Sequence, residues 1–195
     1  MLEDGFFDPL KPMWIRWGNL PHWRQDGALY FVTFRLSDSL PQVRLKQLQR
    51  ERTEWRDART YLDNEALLEK SLLHRRRIEK WLDEGSGSCV LRDSVAKEIV
   101  ESAVRHFDGV RYEIGPFTVA PNHVHVLVRP ASSVDLSKIL YSWKRFSSGR
   151  LRKTEPIARA FAGRSHLWQT ESFDHIVRNS RELDRIKAYI ARHEH

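Results

Sequence analysis

Cys89 is the only cysteine in the chain. Neither an intramolecular disulfide nor a cysteine-built zinc knot is possible, which suits a reducing compartment. Long apolar runs are missing too, and the longest fall far short of the roughly 20 residues that a membrane-spanning helix needs. The start, Met1 to Phe7, is acidic and lacks the basic stretch and apolar run of a secretory leader. The expectation is a cytoplasmic protein with no membrane partner. Internal repeats and low-complexity tracts are also absent, which sets repeat and disordered architectures aside.

Charge and tryptophan are abundant. Of 195 residues, 41% are hydrophobic and 30% charged, the balance of a globular domain. Lys and Arg number 33 against 26 acids, a net charge of +7, and a basic domain attracts polyanions, nucleic acid foremost. Charge used only for solubility is the competing explanation. Seven tryptophans supply core volume, and some could serve as stacking platforms for bases.

The pattern along the chain is mixed. Residues Met1 to Gln25 read as an extended lead-in, and Ala28 to Leu36 as an aromatic and β-branched strand. From Pro41 to Glu84 the spacing of Leu45, Leu48, Trp55, Leu67, Leu68, Leu72, Ile78, Trp81 and Leu82 predicts two helices, parting near Thr60 to Asn64. Gly85 to Ser88 is a flexible break. Asp93 or Ser94 caps a helix to about Phe107, and Val110 to Val119 and His123 to Val128 form a hairpin-like pair of strands. A helix follows Asp135, then a loop or short helix over Pro156 to Ser165, a partly extended stretch from Leu167 to Val177, and a last helix capped at Ser180. The order implies an α+β fold: an antiparallel sheet with helices on one face, near the ferredoxin-like plan. We read residues 1–195 as a single domain with a helical insertion at about 41–107.

The sharpest local feature is Pro121-Asn122-His123-Val124-His125-Val126-Leu127-Val128. Strand side chains alternate, so His123 and His125 share one face and Val124 and Val126 the other. Two imidazoles on a rigid strand are half of a divalent metal site, although two satisfied or solvated histidines fit the same letters. Near the end, Tyr189 and His193 stand one helical turn apart on one face, either as functional groups or as a core-edge aromatic beside a fraying terminus.

Taken together, PNHVHVLV, the later Trp168-Gln169, Phe173-Asp174-His175-Ile176-Val177-Arg178 and Tyr189-Ile190 resemble the REP-associated tyrosine transposases. These are relatives of the one-tyrosine insertion-sequence transposases, in the HUH endonuclease group. Leu20-Pro21-His22-Trp23, with Tyr30 to Phe34 behind it, also looks like that family's first strand. The resemblance implies that His123 and His125 bind Mg²⁺ or Mn²⁺ beside the scissile phosphate of single-stranded or hairpin DNA. It implies that Tyr189 attacks phosphorus, giving a 5′-phosphotyrosine link and a free 3′-hydroxyl. A polar residue one turn after the tyrosine, usually Asn or Gln, completes the metal site, and here that position is His193. A three-nitrogen site favours Mn²⁺ or another borderline metal more than an amide oxygen would. Members usually continue past the helix with Asn-Pro, whereas this sequence ends at His195. No organic cofactor is implied, and monomer and homodimer are both compatible with the resemblance.

Lys138, Lys144, Arg145, Arg150, Arg152 and Lys153, with Trp143 among them, are candidate contacts to a phosphate backbone and a stacked base; a solvated helix face is the alternative. Trp168 and Gln169 read either as core plus an amide or as a base-reading contact. Asp174 and His175 read either as contacts to DNA or support for the metal site, or as a structural pair at a turn. Tyr141 is the rival nucleophile, and Arg75-Arg76-Arg77 read as mainly solvent-facing. Three other functions compete. A histidine-triad hydrolase would need a third histidine where Leu127 stands. A catalytically silent hairpin-binding relative would tolerate loss of Tyr189 or the histidines. A structural metal module would hold its histidines in a closed knot.

Overall fold

The computed structural model describes residues 2–17, 21–58 and 63–193. Leu20 and most of the expected helix junction at Thr60 to Asn64 lie outside them. The lead-in is more ordered than its sequence suggested: β1 (Met13–Trp17) and β2 (Pro21–Gln25) pair antiparallel, with Ile15 opposite Trp23. β3 (Tyr30–Arg35) then enters the main sheet. The expected helical region follows as α1 (Gln42–Ala58) and α2 (Asn64–Asp83). Asp63 caps α2 by accepting from the Ala66 amide at 2.8 Å.

The rest of the chain alternates helices and strands: α3 (Ser94–Arg105), β4 (Tyr112–Val119), β5 (His123–Pro130), α4 (Leu136–Leu151), α5 (Glu155–Ala160), β6 (Phe173–Ile176) and α6 (Ser180–Ala191). Asp93 and Asp135 cap α3 and α4 with their carboxylates. The cap of α6 is Asn179, not Ser180; its side chain accepts from the Glu182 amide at 2.9 Å. An amide oxygen one residue earlier reaches the free N–H of the first turn, and Ser180 is itself helical.

The main sheet runs β4-β5-β3-β6, and every neighbouring pair is antiparallel. β3 to β4 and β5 to β6 each skip one strand, so two split β-α-β units interleave. This is the ferredoxin-like plan, and the α+β expectation holds. Helices cover both faces, however. Val32, Phe34, Val124 and Val126 pack with Val100 and Val104 of α3 and Ile139 and Trp143 of α4. Phe31 and Leu127 point the other way, against Leu183, Ile186 and Ile190 of α6. A strand flanked on both sides has no wet face, which is why β3 and β5 are buried almost throughout.

The α1–α2 hairpin stands beside this sandwich. Leu40, Leu48, Ile78 and Leu82 form its own core, with Phe173 of β6 against it. Arg44 to Glu84 at 2.5 Å, and Arg77 and His74 to Glu51, hold the two helices antiparallel. α3, although within the stretch 41–107, is the first crossover helix of the sheet itself.

Candidate metal and nucleophile site

Register brings the histidines together. Thr33 lies opposite His125 and Arg35 opposite His123 on the central strand pair, so both imidazoles leave the face that α6 covers. Both rings are buried, at 1% and 0% exposure. Their Nε2 atoms stand 2.8 Å apart. The Nδ1 atom of His123 faces Asn122 Oδ1 at 2.7 Å, and that of His125 faces Thr33 Oγ1 at 2.8 Å. Asn122 uses its amide nitrogen on the carbonyls of Leu82 and Ser86, which fixes its oxygen as the acceptor for His123.

α6 contributes the rest. Ile186 and Ile190 sit in the core and bring Tyr189 over the edge of Phe31, with ring centroids 6.2 Å apart. The Tyr189 ring lies 5.0 Å from that of His125 and 4.6 Å from that of His193. His193 Nδ1 donates to the Tyr189 carbonyl at 2.9 Å, so its Nε2 is also turned inward. Three ring nitrogens therefore converge, each with its partner nitrogen engaged elsewhere. Where each Nδ1 carries the proton, the three Nε2 lone pairs face one another, an arrangement that suits a shared cation.

The acid–base state agrees. Burial first, and then the electrostatic influence of His193, lowers the pKa of His123 to about 3. His125 is pushed well below its usual value, by burial first and then by His123 and His193. Both rings are neutral at ordinary pH, as metal ligands must be. Tyr189 is raised above the usual phenol range by burial first, then by Glu79 and Asp83. Its hydroxyl donates to Asp83 at 3.3 Å and 3.4 Å. Asp83 is the residue that the sequence reading missed. Its carboxylate joins His123, His125 and His193 in a group whose ligand atoms all lie within 4.8 Å of one another.

The expected DNA contacts divide. Lys138, Arg145, Arg152 and Gln169 line a groove of about 770 Å³ between α4, β1–β2 and the segment 165–172, joined there by Arg16. Arg150 and Lys153 instead flank Phe146 on the α3 side of α4. Lys144 lines the groove but spends its ammonium on the carbonyls of Gln169 and Thr170, both at 3.0 Å. Burial brings its pKa down to about 8.

Trp143 and Trp168 require correction. They are 1% and 4% exposed, and their indole N–H groups donate to Tyr112 and Ser147 inside the core. A ring with no free face cannot stack a base. Asp174 and His175 are corrected as well. Asp174 is sealed under β2, where it takes hydrogen bonds from His22 and Arg24, and His175 meets Glu182 at 2.9 Å. Tyr141 is 62% exposed on α4, across the sheet from the histidines, and cannot serve them as nucleophile. Arg75 is turned inward over Phe31 at 5.4 Å rather than toward solvent.

The family model for IS200-like transposases matches residues 88–193, just over half of the chain. The chain belongs to the IS200-like transposase family. The match contains β4 through α6, hence His123, His125, Tyr189 and His193. Among solved structures, the chain is similar to a REP-associated tyrosine transposase bound to a REP hairpin, at 14% identity and TM-score 0.43. That match covers 85% of this chain and only 65% of the other. A Deinococcus radiodurans R1 protein described as a transposase is similar at 14% identity and TM-score 0.46, over 86% of this chain and 90% of that one. No curated protein sequence matches. No helix among the described residues is long and apolar enough to cross a membrane.

Proposed function

We propose that this IS200-like transposase is a metal-dependent endonuclease and strand transferase acting on single-stranded or hairpin DNA, with Tyr189 as nucleophile. The observation that carries the reading is the convergence of three inward-facing imidazole nitrogens beside a helix-borne phenol. His123, His125 and His193 would hold the ion, Mn²⁺ fitting a nitrogen-rich set better than Mg²⁺. When bound, it supplies charge neutralisation at the non-bridging oxygens of a phosphodiester.

The remaining work falls to the chain. The Tyr189 oxygen forms a bond to phosphorus while the bond from phosphorus to the 3′-oxygen breaks. The phenol loses its proton, and the departing oxygen gains one to leave as a 3′-hydroxyl. The phosphotyrosine conserves the bond energy, so a second 3′-hydroxyl can reverse the reaction without ATP. Phe31, Ile186 and Ile190 orient the phenol, and Asn122 and Thr33 orient the strand histidines. The groove bearing Lys138, Arg145 and Arg152 lies on the α4 side of the sheet, away from the histidines, and suits a phosphate backbone.

Incubation with labelled single-stranded DNA hairpins and Mn²⁺ tests the reading. We expect a protein–DNA band that survives SDS and vanishes when the metal is chelated. Hairpin binding without such a band under any metal would instead make the chain a catalytically silent hairpin-binding relative.

A further inference from the structure

α2 lies outside the segment that matches the family, yet its last residue reaches the histidines. Asp83 Oδ1 stands 2.9 Å from His193 Nε2 and 3.9 Å from His123 Nε2. Ligands sharing one ion at about 2.0–2.2 Å stand roughly 3–4.4 Å apart, so shifts of a few tenths of an ångström place all four groups in one shell. Asp83 is not a loosely hung surface acid. Leu82 and Ile78 anchor its helix in the α1–α2 core. The chain leaves α2 through Gly87 at φ +92°, where a Cβ would meet the Asp38 carbonyl oxygen at 2.5 Å. Asn122, the same residue that orients His123, donates to the carbonyls of Leu82 and Ser86 on either side.

Charge supplies the second argument. Three neutral imidazoles, two of them buried, leave a divalent ion with its full charge at the edge of the core, which is costly without a counter-ion. One carboxylate in the shell halves that charge. Among the described residues, the only acid in this cluster of metal-ligand groups is Asp83.

Resting on the metal reading above, we propose that Asp83 is a fourth protein ligand of the ion. The α1–α2 hairpin is then a wall of the catalytic centre, and its carboxylate links the metal to the nucleophile through the Tyr189 hydroxyl. The competing role is a carboxylate that only restrains Tyr189 and His193.

The two roles separate in Mn²⁺ binding measured on the full chain without DNA, by electron paramagnetic resonance and by the rise in melting temperature on adding Mn²⁺. Asp83→Ala should weaken Mn²⁺ binding by more than about 100-fold, beyond the roughly 10–100-fold that loss of an outer-shell partner produces. A smaller loss would assign Asp83 the restraining role instead. Asp83→Asn, nearly isosteric, guards against misfolding and should also weaken it, because an amide oxygen brings no charge. Equal Mn²⁺ affinity in wild type and both Asp83 variants, with His123→Ala still lowering it, would overturn this assignment alone. A wild-type chain that takes up no Mn²⁺ would overturn the metal reading along with it.

Discussion

Trp143 and Tyr141 sit two residues apart on α4, and the helix assigns them opposite fates. Ile139, Trp143, Ser147 and Leu151 recur every fourth residue and are all buried, whereas Lys138, Tyr141, Arg145 and Arg152 follow the groove. A substitution at Trp143 should therefore be felt in stability and not in DNA affinity. Trp143→Phe loses the hydrogen bond to Tyr112 and part of the ring, and should cost about 1–3 kcal/mol by denaturant unfolding. Its affinity for hairpin DNA should match wild type, and a clear drop in affinity of the folded variant would return the ring to the interface. Neutralising Lys138 and Arg145 together should do the reverse. Stability should stay near wild type while the slope of log affinity against log salt shrinks by about 1.4 to 1.8, two phosphate contacts' worth. An unchanged slope would mean that the groove holds no backbone.

Several of these assignments could be read from sequence because a period settles them. His123 and His125 share a face on any strand, and Tyr189 and His193 share one on any helix. The stripe through Trp143 was equally legible, and the basic neighbours drew attention from it. Thr33 and Asp83 were not legible. They reach the histidines only through strand register and through the end of a helix 40 residues earlier in the chain, and no local pattern encodes either contact. Asn122 stood beside the histidines in plain view, but its role depends on carbonyls of the α2 exit that only the fold supplies.

At the scale of elements, the β1–β2 hairpin is tied to the main sheet by charge. The alternation of Met13, Ile15 and Trp17 with Trp14 and Arg16 was a strand signal that the label of lead-in passed over. The hairpin meets β6 through His22 and Arg24 on the buried Asp174 carboxylate, with Glu171 3.1 Å from the other nitrogen of His22. Burial by itself would depress His22, but the Asp174 charge and the bonds from Asp174 and Glu171 outweigh it and raise its pKa to about 9. A folded pKa above the unfolded value near 6.5 means that this contribution is complete below pH 6.5 and is lost as pH rises toward 9. Lys144, lowered to about 8, acts with the opposite sign, so the comparison must isolate His22. The melting-temperature gap between wild type and His22→Gln should be widest near pH 6 and close by about pH 9.5. A gap that stays constant over that range would show that His22 does not carry the charge.

Across the whole molecule, the sheet divides the labour. Its α4 side carries a basic groove, and its α6 side carries the histidines and Tyr189. The matched segment 88–193 supplies most of both, while β3 and the α1–α2 hairpin, which lie outside it, add Thr33 and Asp83. Burial and the nearby Glu79 and Asp83 carboxylates raise the Tyr189 phenol above its usual range, so under the proposed function its attack on phosphorus would need metal and DNA to arrive together. The most direct test is the identity of the residue joined to DNA. Wild type, Tyr189→Phe and Tyr141→Phe are incubated with a labelled single-stranded hairpin and Mn²⁺, and the adduct is mapped by peptide mass spectrometry. The account predicts a DNA-phosphate on Tyr189 in wild type and in Tyr141→Phe. It predicts normal hairpin binding but no adduct and no nick in Tyr189→Phe, whose ring still packs beside Ile186 and Ile190. An adduct that persists in Tyr189→Phe, or that maps to Tyr141, would contradict it.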